Sequence, residues 1–297
     1  MLEFIKECPV CSGNRFSVFL EGKDFFLTKE HFTIQICDKC GFKFTNPRPD
    51  NKSILKYYES DKYVSHDAKK ADFTTTIYRI ARYYAIRKKH SIIKSCSPGK
   101  RLLDIGCGTA ELLNYCRKKG MEVKGVEPNE KAREFARKNH SLCVLGSLDE
   151  VKKTTEKFDC ISLWHVFEHL PSLDQTLNDV ASILENGGVV IIAVPNSESW
   201  DARHYQKFWA AYDLPRHLYH FSEITLKRLV ENHGFFITET KPQKLDAFYI
   251  SLLSEEYKTG KRSFFKAVIN GMRSNFLAGR RSCGYSSTIF VIKRKNS

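Results

Sequence analysis

Three groups of residues in this 297-residue chain have types and spacings that could do chemistry. The first is a pair of knuckles, Cys8-Pro9-Val10-Cys11 and Cys37-Asp38-Lys39-Cys40-Gly41, separated by 25 residues. Each knuckle can present two thiolates to one ion, and four thiolates suit tetrahedral Zn²⁺. With all four positions taken by sulfur, Cys8, Cys11, Cys37 and Cys40 leave no opening for substrate, so the expected metal is structural. The second is Leu102-Leu103-Asp104-Ile105-Gly106-Cys107-Gly108-Thr109, in which an apolar run ends in an acid and two glycines. A chain turning there without side-chain bulk brings its backbone close to a ligand, with the Asp104 carboxylate aimed at the same place. The third is the stretch containing Asp213, Arg216, His217, Tyr219 and His220, whose imidazoles can move protons near neutral pH.

The elements that must position these groups follow from periodicity. Strand-like pieces at 16–20 and 32–36 lie between the knuckles, as a zinc ribbon over 1–46 requires. So few residues bury too small a core to stand without a metal. Asn46-Pro47-Arg48-Pro49 closes the ribbon. Tyr63 and His66 follow, and then a three- and four-residue apolar repeat (Ile77, Ile80, Ala81, Tyr84, Ile92) predicts a helix over 73–94. Residues 47–98 thus form a helical arm.

From residue 100 strand and helix alternate, the sign of a parallel sheet with crossover helices. The expected strands are 101–105, 123–126, 142–145, 158–163 and 189–194. A helix from Ser172, capped with Gln175, is expected to stop at Gly187-Gly188. Residues 197–221 break the alternation with Trp200, Tyr205, Phe208, Trp209, Tyr212 and Tyr219, which suggests a lid or insertion over the sheet's carboxyl edge. Ser222 reads as an N-cap. Strands 235–240 and 288–292 finish the sheet around a basic insertion, 245–286.

Composition narrows the classes. A hydrophobic content of 42% with 28% charged residues fits a globular chain, and no apolar run is long enough to span a bilayer. Met1 to Glu7 lacks the apolar region of a secretory signal. Ten cysteines then point to a reduced cytoplasm, with thiols used as ligands or core residues. The net charge of +14 raises nucleic acid as a partner, but ten Lys and Arg with no Asp or Glu lie in residues 258–297. The ribbon itself is close to balanced. The basic segment mixes cations with Phe264-Phe265, Val268-Ile269, Met272 and Phe276. It reads as a solvated helical flank, or as a surface for an anionic membrane or a phosphorylated substrate.

A dinucleotide-binding turn needs a third glycine where this chain has Glu111. The stretch from Leu103 to Thr109 instead resembles the first motif of class I S-adenosylmethionine-dependent methyltransferases, with Ala110 where that motif usually has another glycine. The resemblance covers about 100–240. It implies a Rossmann-like α/β fold with a seven-stranded sheet and helices on both faces, in a domain spanning 99–297. It also implies that Asp104, Gly106, Cys107 and Gly108 cradle the cofactor and that Glu127 binds its ribose hydroxyls. Ser147 and Leu148 would cover the adenine, with Asp149 near its amino group. Trp164 and His165 would lie beside the methionine end.

Methyl transfer is an in-line displacement at a sulfonium, so an acceptor hydroxyl or carbon gains from a base. His217 is the preferred base, with His220, Tyr219 and Asp213 to orient or donate; Glu168 and His169 read as helix-capping residues. With the ribbon and Leu214-Pro215-Arg216-His217, the chain looks like bacterial methyltransferases of polysaccharide and natural-product pathways. The expected acceptor is a small molecule, such as a nucleotide- or lipid-linked sugar. An RNA methyltransferase and a non-catalytic cofactor-binding scaffold are the alternatives.

Overall fold

The computed structural model describes residues 1–58, 73–280 and 283–295, with side chains for all of these except 73–81. Tyr63 and His66, and the side chains of Ile77, Ile80 and Ala81, lie outside the described residues. In chain order the strands are β1 (Leu2–Glu3), β2 (Phe16–Lys23), β3 (His31–Cys37), β4 (Lys43–Thr45), β5 (Arg48–Pro49), β6 (Arg101–Ile105), β7 (Glu122–Val126), β8 (Val144–Leu145), β9 (Phe158–Trp164), β10 (Leu184–Pro195), β11 (Tyr219–His220), β12 (Phe235–Pro242) and β13 (Ser287–Arg294). The helices are α1 (Phe73–Cys96), α2 (Glu111–Lys118), α3 (Glu130–His140), α4 (Leu148–Lys153), α5 (Leu173–Ile183), α6 (Trp200–Tyr205), α7 (Glu223–Asn232), α8 (Asp246–Thr259) and α9 (Phe264–Gly279).

Among the described residues, seven strands form one sheet in the order β12-β13-β10-β9-β6-β7-β8. β6 runs parallel to both β7 and β9, and β7 runs parallel to β8. The order reverses beside β6, and in such sheets ligands bind outside the carboxyl ends of the strands at that point. Val189 to Val194 and Cys160 to Leu163 are buried at every residue, as strands covered on both faces must be. This is the seven-stranded α/β sheet that the sequence implied.

The chain clusters into two compact units. One contains 60–166, 175–192 and 291–297 and carries β6 to β9 with α1 to α4. Its helices present apolar stripes inward: Leu112, Leu113 and Cys116 on α2, Ala136 on α3, Val151 on α4. Arg101 pairs with Asp159 at 3.0 Å and with Glu185 at 2.9 Å, tying the starts of three strands. One boundary differs from the expected ones. α5 ends at Ile183 and extended backbone begins at Leu184, so Gly187-Gly188 lies inside β10 rather than closing a helix.

The other unit contains 1–59, 167–174 and 193–290. Its ribbon sheet has the order β11-β4-β3-β2, so Tyr219–His220 is a fourth strand paired with Lys43 and Phe44. Much of the aromatic stretch 197–221 is accordingly interior, with Tyr205, Trp209, Tyr212 and Tyr219 buried and Trp200 and Phe208 partly so. Tyr205, Trp209, Tyr212 and Leu214 form one buried cluster with Phe32 and Ile34 of β3, Tyr57, and Ile250 of α8. Its polar edges are satisfied: Asp201, fully buried, accepts from Trp209 Nε1 at 2.8 Å, Ser274 Oγ at 2.9 Å and Ser286 Oγ at 2.6 Å. Ser222 caps α7 as expected, its Oγ accepting from Thr225 N at 3.2 Å.

Candidate functional site

Three constellations carry chemistry, one in the sheet unit and two in the other, and each unit is taken by itself. In the sheet unit, β6 ends at a turn whose geometry is set by its small residues. Gly106 sits at φ +70°, and a Cβ there would come within 2.3 Å of Val166 Cγ2. Gly108, at φ +54°, has nothing within 4 Å of where a Cβ would stand, so the turn leaves open space on that side. Gly106 N and Cys107 N both donate to Val126 O, at 2.7 and 3.1 Å, which pins the turn to the end of β7.

Ala110 is buried and left-handed, at φ 61° and ψ 28°, immediately before α2. The left-handed conformation is the reason glycine suits this position, and alanine accepts it at a cost of roughly 1–2 kcal/mol. The turn is kept.

Glu127 leaves the end of β7 with both carboxylate oxygens oriented by backbone donors. Oε2 accepts from Gly108 N at 2.9 Å and Oε1 from Asn129 N at 2.9 Å. Each oxygen keeps a further lone pair, which is what two vicinal hydroxyls need. Asp104 is almost wholly buried and accepts from Ser162 Oγ at 2.6 Å. Burial pushes its pKa up to about 6 against the opposing pull of Ser162 and the charge of Lys89. Lys89, on α1, also places Nζ over the Trp164 ring at 4.8 Å. Trp164 is buried at the end of β9 with its Nε1 lacking a hydrogen-bond partner among the described residues, and His165 follows at φ 57°.

An orphaned buried indole N–H, an open glycine turn and a diol-ready carboxylate fit a nucleoside-bearing ligand. Ser147 caps α4, accepting from Glu150 N at 3.4 Å, with Leu148 next in line; Asp149 is exposed and pairs with Lys152 at 2.7 Å. Sequence reasoning missed Lys89, because its helix read only as an apolar repeat.

In the ribbon unit, the four cysteines converge, their sulfur atoms all within 4.8 Å of one another. Cys8 and Cys40 Sγ are 3.5 Å apart, Cys11 and Cys37 Sγ 3.6 Å. Zinc–thiolate bonds of about 2.3 Å in a tetrahedron place sulfurs about 3.8 Å apart. The residues therefore fit such an ion. A Cβ at Gly13 would press on Cys37 and Cys11 Sγ at 3.2 and 3.3 Å, so the knuckle has room for little else.

The same unit gathers Glu168, His169, Asp213 and His217. His217 Nε2 lies 3.9 Å from Glu168 Oε1 and 4.0 Å from Asp213 Oδ2. Its Nδ1 is 2.8 Å from Ala211 O. A carbonyl only accepts, so Nδ1 is the nitrogen that donates here, and Nε2 is the one turned toward the two carboxylates. The donor atoms of Glu168, His169 and His217 lie within 4.8 Å of one another. The Glu168–His217 separation, 3.9 Å, is longer than the roughly 3.4 Å between two ligands of a tetrahedral ion with 2.1 Å bonds. Glu168 and His169, which sequence reasoning took for helix caps, belong to this cluster. Burial, then the neighbouring His217, lowers the His169 pKa to about 4.

The other expected acid–base residues are placed differently. Arg216 is buried and fully engaged, with Asp213 at 2.6 Å, Asp24 at 3.2 Å and Tyr57 O at 3.1 Å, so it does not offer itself to an anion. His220 is buried in β11 with Nε2 3.2 Å from Thr45 Oγ1, and burial lowers its pKa well below the usual histidine range. Tyr219 donates to Pro171 O at 3.0 Å and accepts from Arg48 at 2.8 Å.

Residues 77–240, more than half of the chain, match the family described as "Methyltransferase domain". The chain belongs to this family. Among curated relatives of this chain, the ubiquinone biosynthesis O-methyltransferase of Bradyrhizobium sp. (strain ORS 278) is 32% identical over 119 residues, covering 38% of this chain and 47% of that protein. The one from Nitrobacter winogradskyi is 30% identical over 161 residues, covering 49% of this chain and 60% of that protein. The chain thus spans about half to three-fifths of the length of these relatives. A SAM-dependent methyltransferase from Archaeoglobus fulgidus superposes with a TM-score of 0.50 at 23% identity, over 75% of this chain and all of that one. Magnesium protoporphyrin IX methyltransferase from Synechocystis PCC 6803, solved with bound SAH, gives 0.54 at 14% identity, over 83% of this chain and all of that one. The fold is that of the class I S-adenosylmethionine-dependent methyltransferases.

Proposed function

We propose that this methyltransferase moves a methyl group from S-adenosylmethionine to a hydroxyl of a small-molecule acceptor, such as a sugar or a natural-product precursor. The observation that carries the reading is Glu127, whose carboxylate is oriented by Gly108 N and Asn129 N for a ribose diol within a methyltransferase-family domain. Asp104, Gly106, Cys107, Gly108, Trp164 and His165 complete the cofactor set, with Ser147 and Leu148 at the adenine end. The relatives named O-methyltransferases support oxygen over carbon as the accepting atom.

The cofactor supplies an electrophilic methyl on a sulfonium. The chain's own contribution at the acceptor is His217. Its Nε2 takes the hydroxyl proton as oxygen attacks, and the imidazolium that forms is held by Glu168 and Asp213, each about 4 Å away. The Ala211 carbonyl keeps the ring in the tautomer that leaves Nε2 free to accept. Cys8, Cys11, Cys37 and Cys40 hold a structural Zn²⁺.

The test is methyl transfer from labelled S-adenosylmethionine across a panel of hydroxylated acceptors, with His217→Ala beside the wild type. The expected result is transfer by the wild type, a fall of about 10²- to 10⁴-fold in the variant and unchanged cofactor affinity. Equal turnover by the two proteins would remove His217 from the reaction.

A further inference from the structure

α9 is built inside out for a helix of a globular unit. The side chains it buries are small: Ala267, Gly271, Ser274 and Ala278, recurring at four and three residues. They let α9 lie close against α8, and a Cβ on Gly271 would come within 2.6 Å of the Phe248 ring. The large apolar side chains point the other way. Phe264, Phe265, Val268, Ile269, Met272 and Phe276 are 46 to 77% exposed.

At 100° per residue these six fall within an arc of about 140°, and Lys266, Arg273 and Arg280 line one border of that arc. Burying large side chains inward is the usual arrangement, and a contiguous exposed face of this kind marks an interaction surface. Leu245, just before α8, and Tyr249 in its first turn are exposed as well.

The charge around this face selects the occupant. Residues 258–297 contain ten Lys and Arg and no Asp or Glu. Arg262 pairs with Glu256 at 2.8 Å and Lys266 lies 3.9 Å from Glu255, contacts that originate on α8. Arg273 lies over the Trp200 ring at 5.1 Å and Arg280 over the Phe276 ring at 4.5 Å, and among the described residues neither has an ion pair with an acid. A second copy would bring the same positive charge against itself. A soluble phosphorylated ligand would use the cations and leave the phenylalanines unexplained. A bilayer with anionic headgroups satisfies both halves: acyl chains for the apolar arc, phosphates for the cations.

We propose that α9 is an interfacial membrane-binding helix that lays its Phe265–Met272–Phe276 face into an anionic lipid surface. This does not depend on the methyl-transfer reading, since vesicle binding is read without cofactor or acceptor.

The experiment is sedimentation of the full chain with vesicles of phosphatidylcholine alone and of phosphatidylcholine containing about a third phosphatidylglycerol, the anionic lipid being the variable. Binding to the anionic vesicles is expected, with weak or no binding to the neutral ones and partial release by salt. Phe265→Ser with Met272→Ser, and separately Lys261→Gln with Lys266→Gln and Arg273→Gln, should each lower the partition coefficient by on the order of tenfold or more. Both sets replace exposed side chains, and the charge set keeps every apolar side chain of α9 should the serine pair disturb folding. Absence of binding to anionic vesicles overturns the proposal. So does equal binding to both vesicle types, binding untouched by both variant sets, or a concentration-dependent dimer abolished by Phe265→Ser without vesicle binding.

Discussion

The Glu127 carboxylate accepts the backbone N–H of Gly108 at 2.9 Å, joining the acid that ends β7 to the open turn that ends β6. Residues 19 apart in sequence are thereby held as one unit. The link requires the glycine turn to keep its shape, which gives Ala110 its importance.

Ala110→Gly should stabilise the protein. At φ 61° alanine bears the left-handed penalty that glycine lacks, while glycine costs some extra chain entropy in the unfolded state. A net gain of up to about 1 kcal/mol is expected in urea unfolding, with cofactor affinity unchanged or improved. A loss of stability would show that the buried methyl of Ala110 contributes more by packing than it costs in strain.

Asp104 makes stability depend on pH in a specific direction. Its folded pKa, about 6, is above the ordinary value of 3.8, so the folded state favours the protonated form. The contribution is fully present below about pH 4 and is lost as pH rises through 6. Asp104→Asn removes this dependence. Between pH 5 and pH 8 the cofactor-free wild type should lose about 1–2 kcal/mol relative to the variant, measured by denaturant unfolding of both at each pH. Parallel curves for the two proteins would mean that Asp104 keeps its ordinary pKa.

Metal removal should reach beyond the ribbon. Because β11 pairs with β4, the strand that begins two residues after His217 is part of the ribbon sheet. One Zn²⁺ per chain is expected by elemental analysis. Cys37→Ser or chelation should abolish methyl transfer, while S-adenosylmethionine binding in the sheet unit falls far less. Full activity in a metal-free protein would contradict a structural ion.

The histidines separate by pairing. His220→Gln keeps a hydrogen-bonding partner for Thr45 and should cost stability, about 1 kcal/mol, more than turnover. His217→Ala should show the reverse. Thermal melts and initial rates on the two variants make the comparison, and a larger rate defect in His220→Gln would exchange their roles.

The local signals of this chain read clearly. The cysteine knuckles, the Asp104–Thr109 turn, Glu127 at the next strand end and the Ser222 cap depend on residues a few positions apart or on one βαβ unit. What could not be read is long-range. Nothing near Tyr219 announces that it pairs with Phe44, and the aromatic density of 197–221 looks like a lid until β3 supplies its other half. Glu168 and His169 looked like caps because their partner, His217, lies some fifty residues on. Lys89 was hidden for the same reason: a helix pattern tells which residues face inward, not that a cation rests on Trp164.

The most direct measurement is calorimetric titration of the full chain with S-adenosylmethionine, for the wild type and for Glu127→Ala. One site per chain is expected in the wild type, with affinity falling tenfold or more in the variant and the melting temperature little changed. No binding by the wild type, or equal binding by both proteins, would contradict the assignment of this turn as the cofactor cradle.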